Sequence, residues 1–344
     1  MGGTPPPSLG DDQMNQAFRL ATFNLENLDD VGAGGLTIDE RAALLRPQLE
    51  RLGADVLCLQ EVNAREHADG RRDLDHLDRL LDGTDYADFQ RAATNSVHGR
   101  IMDKHNLVVL SRYPITAQRQ LRHDLVPPAQ YQPVTGEQAS AAEPVEWERP
   151  IQLISIEIAP ERALHVINLH LRSRLASFIP GRKTGPFSWA RADSWAEGAF
   201  LSAVKRNGQA LEARLAIDQI FDAEPDALVA ICGDLNAEAD EVAVEILRAD
   251  TDNTGNPKLA GRVLALLQAA GDTSSNVSML YHGRSIRPDH ILVSRPLLGW
   301  YRGLEVHNEL LHDEAVSMAT GTPSAESWHA PVVASFEING IQPN

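Results

Sequence analysis

The stretch Ala227-Leu-Val-Ala-Ile-Cys-Gly-Asp-Leu-Asn236 decides the fold, because it joins a buried strand to two polar side chains. The apolar run from Ala227 to Cys232 is typical of a buried strand, and Gly233 ends it so that Asp234 and Asn236 emerge beyond it. In layered α/β proteins, chemistry gathers at strand ends, because the sheet holds rigidly what the loop presents. A carboxylate and an amide at this position could grip one substrate atom from two sides. An Asx turn that closes the strand is the alternative explanation of the same residues.

Two more strands are predicted near the N-terminus, and both end in polar residues. Residues 18–24 alternate as a strand and deliver Asn24 and Glu26, while the buried run 56–59 ends at Glu61. If these strands are neighbours, the two carboxylates converge and form an oxygen-rich site for a hard cation such as magnesium. The alternative is that Glu26 and Glu61 are separate, solvated carboxylates.

A further strand, residues 164–169, ends at His170, and a locally basic and aromatic segment follows it over residues 172–206. We interpret His170 as functional, since it is one more polar residue at a strand exit. Basic groups interleaved with flat rings suit a phosphate backbone with bases that stack, so Arg172 and Arg174 are candidate substrate-binding residues. A lid that packs its aromatic rings on the body explains the same composition.

Composition limits the classes of function. The chain has 344 residues, 31 basic and 48 acidic, and a net charge of −17, so nucleic-acid binding would need a local basic groove or metal ions. The two cysteines, Cys58 and Cys232, lie in apolar runs and form no zinc motif. No apolar run is long enough to span a membrane, and the N-terminus lacks a signal-peptide pattern. The cytoplasm is therefore the expected location, unless the sequence is a trimmed mature form.

The organisation of the chain is predicted to be simple. Residues 1–15 read as a loose N-terminal tail, and residues 16–344 as one domain with insertions near 118–150 and 172–206. Apolar spacing predicts a helix over residues 206–221 and a short one over 263–269. Oligomeric state is not readable from these patterns.

Seven short motifs, taken together, resemble the endonuclease/exonuclease/phosphatase superfamily, which includes deoxyribonucleases, abasic-site endonucleases, neutral sphingomyelinases and inositol polyphosphate phosphatases. They occur in the family's order along almost the whole chain. The motifs are Phe23–Asn27, Leu59–Glu61, Leu110–Pro114, Asn168–His170, Gly233–Asn236, Asp289–Leu292 and His329–Val332. The resemblance implies an α/β fold, a four-layered α/β sandwich in which two mixed β-sheets pack face to face with helices outside. It also implies hydrolysis of a phosphate ester that depends on Mg²⁺ or Mn²⁺.

The same resemblance assigns catalytic roles by motif position. Asp234 resembles the residue that activates or aligns the attacking water, and Asn236 resembles its hydrogen-bonding companion. His170 resembles the histidine that contacts the phosphate, and His329, oriented by Asp289, resembles the one that faces the scissile phosphate. Such positioned acid and base groups each contribute about a hundredfold to ten-thousandfold.

The metal cluster implied by the resemblance is Asn24, Glu26 and Glu61, with Glu61 as the main carboxylate. One position departs from the family's pattern, because Trp328 stands where an Asp usually precedes the final histidine. That Asp commonly helps to bind metal, so weaker affinity, a different metal or a compensating ligand is expected here.

The substrate is the least determined part of the prediction. The segment Arg287-Pro-Asp-His290 is more similar to the nuclease side of the family than to the inositol phosphatases, so a metal-dependent nuclease acting on phosphodiester bonds is the first hypothesis. A phosphatase or phospholipase-type hydrolase of a smaller phosphate ester is the second. A non-catalytic binding module that kept the fold and lost the metal is the third, and Trp328 is its only support.

Overall fold

The computed structural model describes residues 16–30, 36–135, 141–186, 188–269, 276–320 and 326–338. The predicted tail, residues 1–15, lies outside this part of the chain. The strands are β1 (Gln16–Leu28), β2 (Val56–Val62), β3 (Arg65–Glu66), β4 (Arg72–Asp73), β5 (Gln90–Ala93), β6 (Asn106–Ser111), β7 (Ile115–Leu121), β8 (Ala129–Tyr131), β9 (Glu143–Val145), β10 (Ile151–Ala159), β11 (Arg162–His170), β12 (Leu228–Asp234), β13 (Ala265–Leu266), β14 (Met279–Tyr281), β15 (Arg284–Ile286), β16 (Asp289–Val293), β17 (Tyr301–Val306) and β18 (Val332–Ile338). The α-helices are α1 (Ile38–Leu52), α2 (Asp75–Leu81), α3 (Ala192–Ala223), α4 (Val242–Arg248), α5 (Thr251–Thr254), α6 (Arg295–Leu298) and α7 (Glu314–Thr320), and two 3₁₀ helices cover Asp85–Asp88 and Pro257–Arg262.

Two mixed six-stranded sheets form the centre of the fold. The first has the order β17-β18-β1-β2-β6-β5 and the second the order β13-β16-β12-β11-β10-β7. Each sheet contains a parallel pair at its middle, β1 with β2 and β11 with β12, and the neighbours of these pairs run antiparallel. Because both parallel pairs are central, the side chains that follow their carboxyl ends are held by rigid structure on either side.

The sheets pack face to face and carry helices on their outer faces, so the predicted four-layered sandwich is confirmed. Phe18 and Val109 of the first sheet share one buried cluster with Val166 and Ile291 of the second. Helices α1 and α2 cover the outside of the first sheet, and α3 and α4 cover the outside of the second. Each sheet is therefore apolar on both faces, which explains why its central strands read as continuous apolar runs.

Helix α1 shows how local sequence sets its own boundaries. The side chain of Thr37 accepts from the backbone of Glu40, whose carboxylate accepts in turn from Thr37, which is the capping box that the sequence contains. Gly53 ends the helix in the left-handed conformation, with φ +51°. The following strand, β2, starts three residues later and leads to Glu61.

Two of the predicted helices are wrong in extent or in type. The helix predicted over residues 206–221 begins instead at Ala192, so residues 192–206 of the basic and aromatic segment are helical. Residues 263–269 contain the short strand β13, because Ala265 and Leu266 pair with β16 and become the edge of the second sheet. A short apolar run fits either a strand or a helix, and here the unpaired edge of β16 decides the outcome.

Helix α3 also holds the insertion predicted near residues 118–150. Its buried Glu212 accepts hydrogen bonds from the backbone N–H groups of His123 and Leu125, at 3.0 and 2.9 Å. Its Glu197 accepts from the backbone N–H of Thr135 at 2.9 Å. Among the described residues, no helix combines the length and the apolar character needed to cross a membrane.

Candidate active site

The carboxyl ends of the two parallel strand pairs meet at one edge of the sandwich. Asn24 and Glu61 lie in the last part of β1 and β2 of the first sheet, while His170 and Asp234 lie opposite one another at the ends of β11 and β12 in the second. Asp289, at the start of β16, is the cross-strand partner of Asp234. Residues from both sheets therefore converge, although long stretches of sequence separate them.

Asp234 is the centre of this cluster. Its carboxylate accepts from Asn24 Nδ2 at 3.1 Å, from the backbone N–H of Asn236 at 2.8 Å and from Asn236 Nδ2 at 3.2 Å. His170 Nε2 lies 3.3 Å from Asp234 Oδ2. Burial opposes ionisation, but the positive charge of His329 and the hydrogen bond of His170 hold the pKa of Asp234 well below its usual range. Asp234 is therefore an ionised carboxylate with a fixed orientation.

His329 is the cationic partner in the cluster. Its Nδ1 donates to Asp289 Oδ2 at 2.8 Å, and Asp289 Oδ2 also accepts from Ser278 Oγ at 2.7 Å. Burial disfavours the imidazolium, but Asp289 and Asp234 outweigh it and keep the pKa of His329 well above its ordinary value. Its Nε2, held 3.9 Å from Asp234 Oδ2, points into the cluster. Ligand atoms of Asp234, Asp289 and His329 all lie within 4.8 Å of one another.

Glu26 and Glu61 form the acidic side of the site. Burial, followed by the charge of Glu61, raises the pKa of Glu26 to about 8. Burial also opposes the ionisation of Glu61, yet His170, His105 and Arg149 together hold its pKa below the usual range. One of the two carboxylates therefore stays protonated near neutral pH. A positive charge bound between them would stabilise the ionised form of both.

Asn24 connects the acidic side to Asp234. Its Oδ1 accepts from the backbone N–H of Glu26 at 2.9 Å while its Nδ2 donates to Asp234. The backbone N–H of Asn27 donates to Glu61 Oε2 at 3.0 Å. The predicted residues Asn24, Glu26, Glu61, His170, Asp234, Asn236, Asp289 and His329 are thus brought together.

The two predicted substrate arginines have different surroundings. Arg174 donates to Glu241 and, through Nε, to the carbonyl of Asn236 at 3.1 Å, so its guanidinium already has protein partners. The side chain of Arg172 lines a cavity beside the cluster, and its backbone N–H donates to Gln209. Arg206, also in the basic segment, donates to the carbonyls of Arg172 and Ser173. Phe187 of this segment lies outside the described residues.

Three further polar groups, not predicted from the sequence, lie near the cluster. Arg149 Nη2 lies 4.0 Å from Glu61 Oε1 and 3.3 Å from His105 Nδ1, and His105 Nε2 lies 3.0 Å from Asn27 Oδ1. Burial and then Arg149 lower the pKa of His105 to about 4, so the ring is neutral at physiological pH. Glu314, at the start of α7, adds negative charge that also raises the pKa of Glu26. None of the three has a local sequence signal.

The backbone around the site is unusual. Glu26, Glu61, His105 and Asn236 have φ values of +50°, +59°, +58° and +49°, in the left-handed region that non-glycine residues seldom occupy. Glu26 and Glu61 lie where the pairing of β1 and β2 is irregular, and His105 and Asn236 lie just outside β6 and β12. The chain therefore bends sharply at several points on this edge to direct side chains into the cluster.

Buried amides lock the two sheets together below the site. Gln60 Nε2 donates to Asn168 Oδ1 at 2.8 Å, and Asn168 Nδ2 donates to the carbonyl of Leu59 at 3.2 Å. Gln60 also shares a hydrogen bond with Thr22 of β1. Because all three side chains are fully buried, their hydrogen bonds fix how one sheet is aligned with the other.

Trp328, at the position where an Asp was expected from the resemblance, is buried, with 3% of its surface exposed. The preceding Ser327 donates from Oγ to the carbonyl of Asn24 at 2.7 Å and accepts from the backbone N–H of His329 at 3.1 Å. The segment is thus fixed to β1 by the serine.

Comparison with known proteins identifies the family and the fold. The sequence model described as "Endonuclease/Exonuclease/phosphatase family" matches residues 21–309, and no curated protein matches the chain. The fold is similar to truncated TDP2 from Caenorhabditis elegans, with a TM-score of 0.56 at 16% identity over 94% of this chain and 98% of that one. An endonuclease/exonuclease/phosphatase from Bacteroides vulgatus is similar with a TM-score of 0.56 at 16% identity, over 94% of this chain and 99% of that one. The mannosyl-6-phosphatase Bt3783 from Bacteroides thetaiotaomicron is similar with a TM-score of 0.52 at 12% identity, over 92% of this chain and 98% of that one. At these identities the similarity shows a shared fold.

Proposed function

The chain belongs to the endonuclease/exonuclease/phosphatase family, and from this premise we propose that it is a divalent-metal-dependent hydrolase of phosphodiester bonds that acts as a nuclease. The observation that carries the proposal is the environment of Asp234, an ionised and buried carboxylate oriented by two amides and facing two histidines. Hydrolysis of a phosphate ester needs an in-line nucleophile and neutralisation of charge on the phosphoryl oxygens. The cluster offers a group for each of these tasks.

Asp234 and Asn236 would handle the attacking water. The Asp234 carboxylate can order the water and accept its proton, because it remains ionised throughout the neutral range. Asn236 Nδ2 donates both to Asp234 and to the carbonyl of Leu171, at 3.0 Å, which restrains the loop beyond β12. A restrained base keeps the water close to the reacting phosphorus.

His329 and His170 would contact the phosphate. His329 is an imidazolium whose Nε2–H can donate to a phosphoryl oxygen, and the hydrogen bond from Nδ1 to Asp289 fixes its orientation. Burial, followed by the charge of Arg149, lowers the pKa of His170, so this ring is the neutral one of the pair. The two histidines thus differ in charge: His329 can donate to the phosphate, and the neutral His170 keeps its Nε2 3.3 Å from Asp234 Oδ2, beside the reacting group.

The donor set fits a divalent cation. Carboxylate and amide oxygens are the ligands that magnesium and manganese prefer, and Glu26, Glu61 and Asn24 offer them on one side of the site. Asp289 Oδ1 is buried and has no hydrogen-bond partner among the described residues, so the cluster retains acceptor capacity. Glu61 and Glu26 would hold the ion, with Asn24 linking them to Asp234. When bound, the ion supplies positive charge to the phosphoryl oxygens.

The test is hydrolysis of single-stranded DNA, duplex DNA, RNA and bis(4-nitrophenyl) phosphate by purified protein with Mg²⁺, Mn²⁺ or EDTA. Asp234→Asn preserves shape and removes the charge, and His329→Gln removes the cation. Each is expected to lower kcat by about 10² to 10⁴. Asp226→Asn, at an exposed aspartate, is the matched control and should leave kcat unchanged. Equal cleavage by wild type and Asp234→Asn, or cleavage that persists in EDTA, would contradict the proposal.

A phosphatase or phospholipase-type hydrolase of a smaller phosphate ester is the second candidate. The net charge of −17 favours it, because an acidic surface repels polyanions and is no handicap with a small substrate. Release of inorganic phosphate from sugar phosphates, measured beside the nuclease assays, distinguishes the two. Turnover of the monoesters without cleavage of any polynucleotide would select this second function.

A further inference from the structure

A basic cavity lies beside the catalytic cluster and has no role in the chemistry described so far. It has a volume of about 420 Å³, within the size range of small-molecule sites. Its lining includes three cationic side chains, Lys104, Arg149 and Arg172, together with the neutral ring of His105. On a chain with a net charge of −17, this concentration of positive charge is a local exception.

The cavity shares a wall with the cluster. Arg149 and His105 both line it, yet Arg149 Nη2 also lies 4.0 Å from Glu61 Oε1. His105 stands beside His170, with 6.4 Å between the ring centroids. A ligand in the cavity would therefore lie one side chain away from the groups that would hold the scissile phosphate.

The two arginines are held in place by one buried side chain. Gln209 of α3, with 1% of its surface exposed, accepts from the backbone N–H of Arg172 at 3.0 Å and donates to the backbone carbonyl of Arg149 at 2.9 Å. The two chain segments that supply the cations are thus held at a fixed distance by a single buried amide.

The charge balance of the cavity favours an anion. Its acidic residue, Glu148, accepts from Lys205 Nζ at 2.8 Å, so its charge is already compensated. Arg172 Nε is buried and has no hydrogen-bond partner among the described residues. A buried guanidinium N–H without an acceptor is costly unless a ligand supplies one.

From these contacts we propose that the cavity binds a second phosphate group of the substrate, a dianionic phosphomonoester next to the scissile diester. The inference rests on the proposed function, because it places this second phosphate relative to the phosphate that is cleaved. The three cations, of which Arg149 also lies 4.0 Å from Glu61, match a dianion better than a singly charged backbone diester, and planar guanidinium groups bind phosphate oxygens in pairs. The site would therefore recognise a substrate by its terminal phosphate.

Binding is tested first without catalysis. Metal-free protein in EDTA is titrated by calorimetry with the thymidine dinucleotides pTpT and TpT at one ionic strength, because such contacts are screened by salt. Wild type should bind pTpT at least about tenfold more tightly than TpT. Arg172→Gln and Lys104→Gln should each reduce this ratio to below about threefold. The matched control is Arg119→Gln, at an exposed arginine of the edge strand β7, and it should preserve the ratio.

Three results would overturn the proposal: equal affinity of wild type for both dinucleotides, no binding of either one, or an unchanged ratio in Arg172→Gln. Competition by inorganic phosphate and by a sugar bisphosphate then distinguishes a nucleotide from another source of the phosphate. Hydrolysis of bis(4-nitrophenyl) phosphate by wild type separates this inference from the proposed function. Turnover of that diester without a preference for pTpT rejects only the proposed phosphate site in the cavity. A preference for pTpT without any turnover rejects only the proposed hydrolase function.

Discussion

Replacement of Glu26 by Gln should stabilise the metal-free protein at high pH while it weakens metal binding. In the folded protein the pKa of Glu26 is raised from 4.5 to about 8, first by burial and then by Glu61. Between these values the folded state keeps a proton that the unfolded chain releases, so the free energy of unfolding falls as pH rises and levels off above pH 8. At about 1.4 kcal/mol for each tenfold change in proton affinity, the full loss is at most about 5 kcal/mol, and local relaxation reduces it to about 2–5 kcal/mol.

Urea unfolding in EDTA at pH 5.5 and pH 9 measures this effect. Wild type should lose stability between the two values, and Glu26→Gln should lose less by about 2–3 kcal/mol, since Gln has no proton to release and part of the full loss falls below pH 5.5. Comparing the two proteins removes the contributions of other titrating groups, and Glu157→Gln, at an exposed glutamate, is the control. Added Mg²⁺ should raise the free energy of unfolding of wild type more than that of the variant. Parallel stability profiles for wild type and Glu26→Gln would refute the assigned environment of Glu26.

Three further predictions concern other parts of the site. Asp289→Asn should lower the pKa of His329, because it removes the negative charge that stabilises the imidazolium. The alkaline limit of activity should then move to lower pH, and kcat should fall by about 10² to 10⁴. An unshifted NMR titration of the His329 ring would contradict this. Gly233→Ala should destabilise the protein by about 3 kcal/mol or more in thermal unfolding, because the backbone has φ +145° there and the new Cβ would lie 1.9 Å from the carbonyl oxygen of Leu169. The control is Gly261→Ala, whose Cβ would meet no atom within 4 Å and which should leave the stability nearly unchanged. Trp328→Asp should tighten Mg²⁺ binding in titration calorimetry while it destabilises the fold by about 3–5 kcal/mol, and equal affinity in the two proteins would remove the role assigned to a carboxylate at 328.

The parts of the site that could be predicted are those that local sequence determines. Asp234 and Glu61 each follow a buried apolar run, and a strand end can be located from the run alone. Arg149 could not be found in this way, because it reaches Glu61 through loop packing that depends on a hydrogen bond to Gln209 of α3. The helix predicted over residues 263–269 is wrong for a similar reason. These residues form a strand because they pair with β16, and the edge that β16 offers exists only in the assembled sheet.

The left-handed backbone at Glu26, Glu61, His105 and Asn236 has a consequence for evolution in the laboratory. A non-glycine residue in this conformation costs about 1–2 kcal/mol that glycine does not incur. Selection for heat resistance alone would therefore favour glycine at Glu26, Glu61 and His105, since asparagine tolerates this conformation, and remove a carboxylate or a ring from the cluster each time. Libraries screened for both traits should retain all four side chains and gain their stability elsewhere in the sandwich.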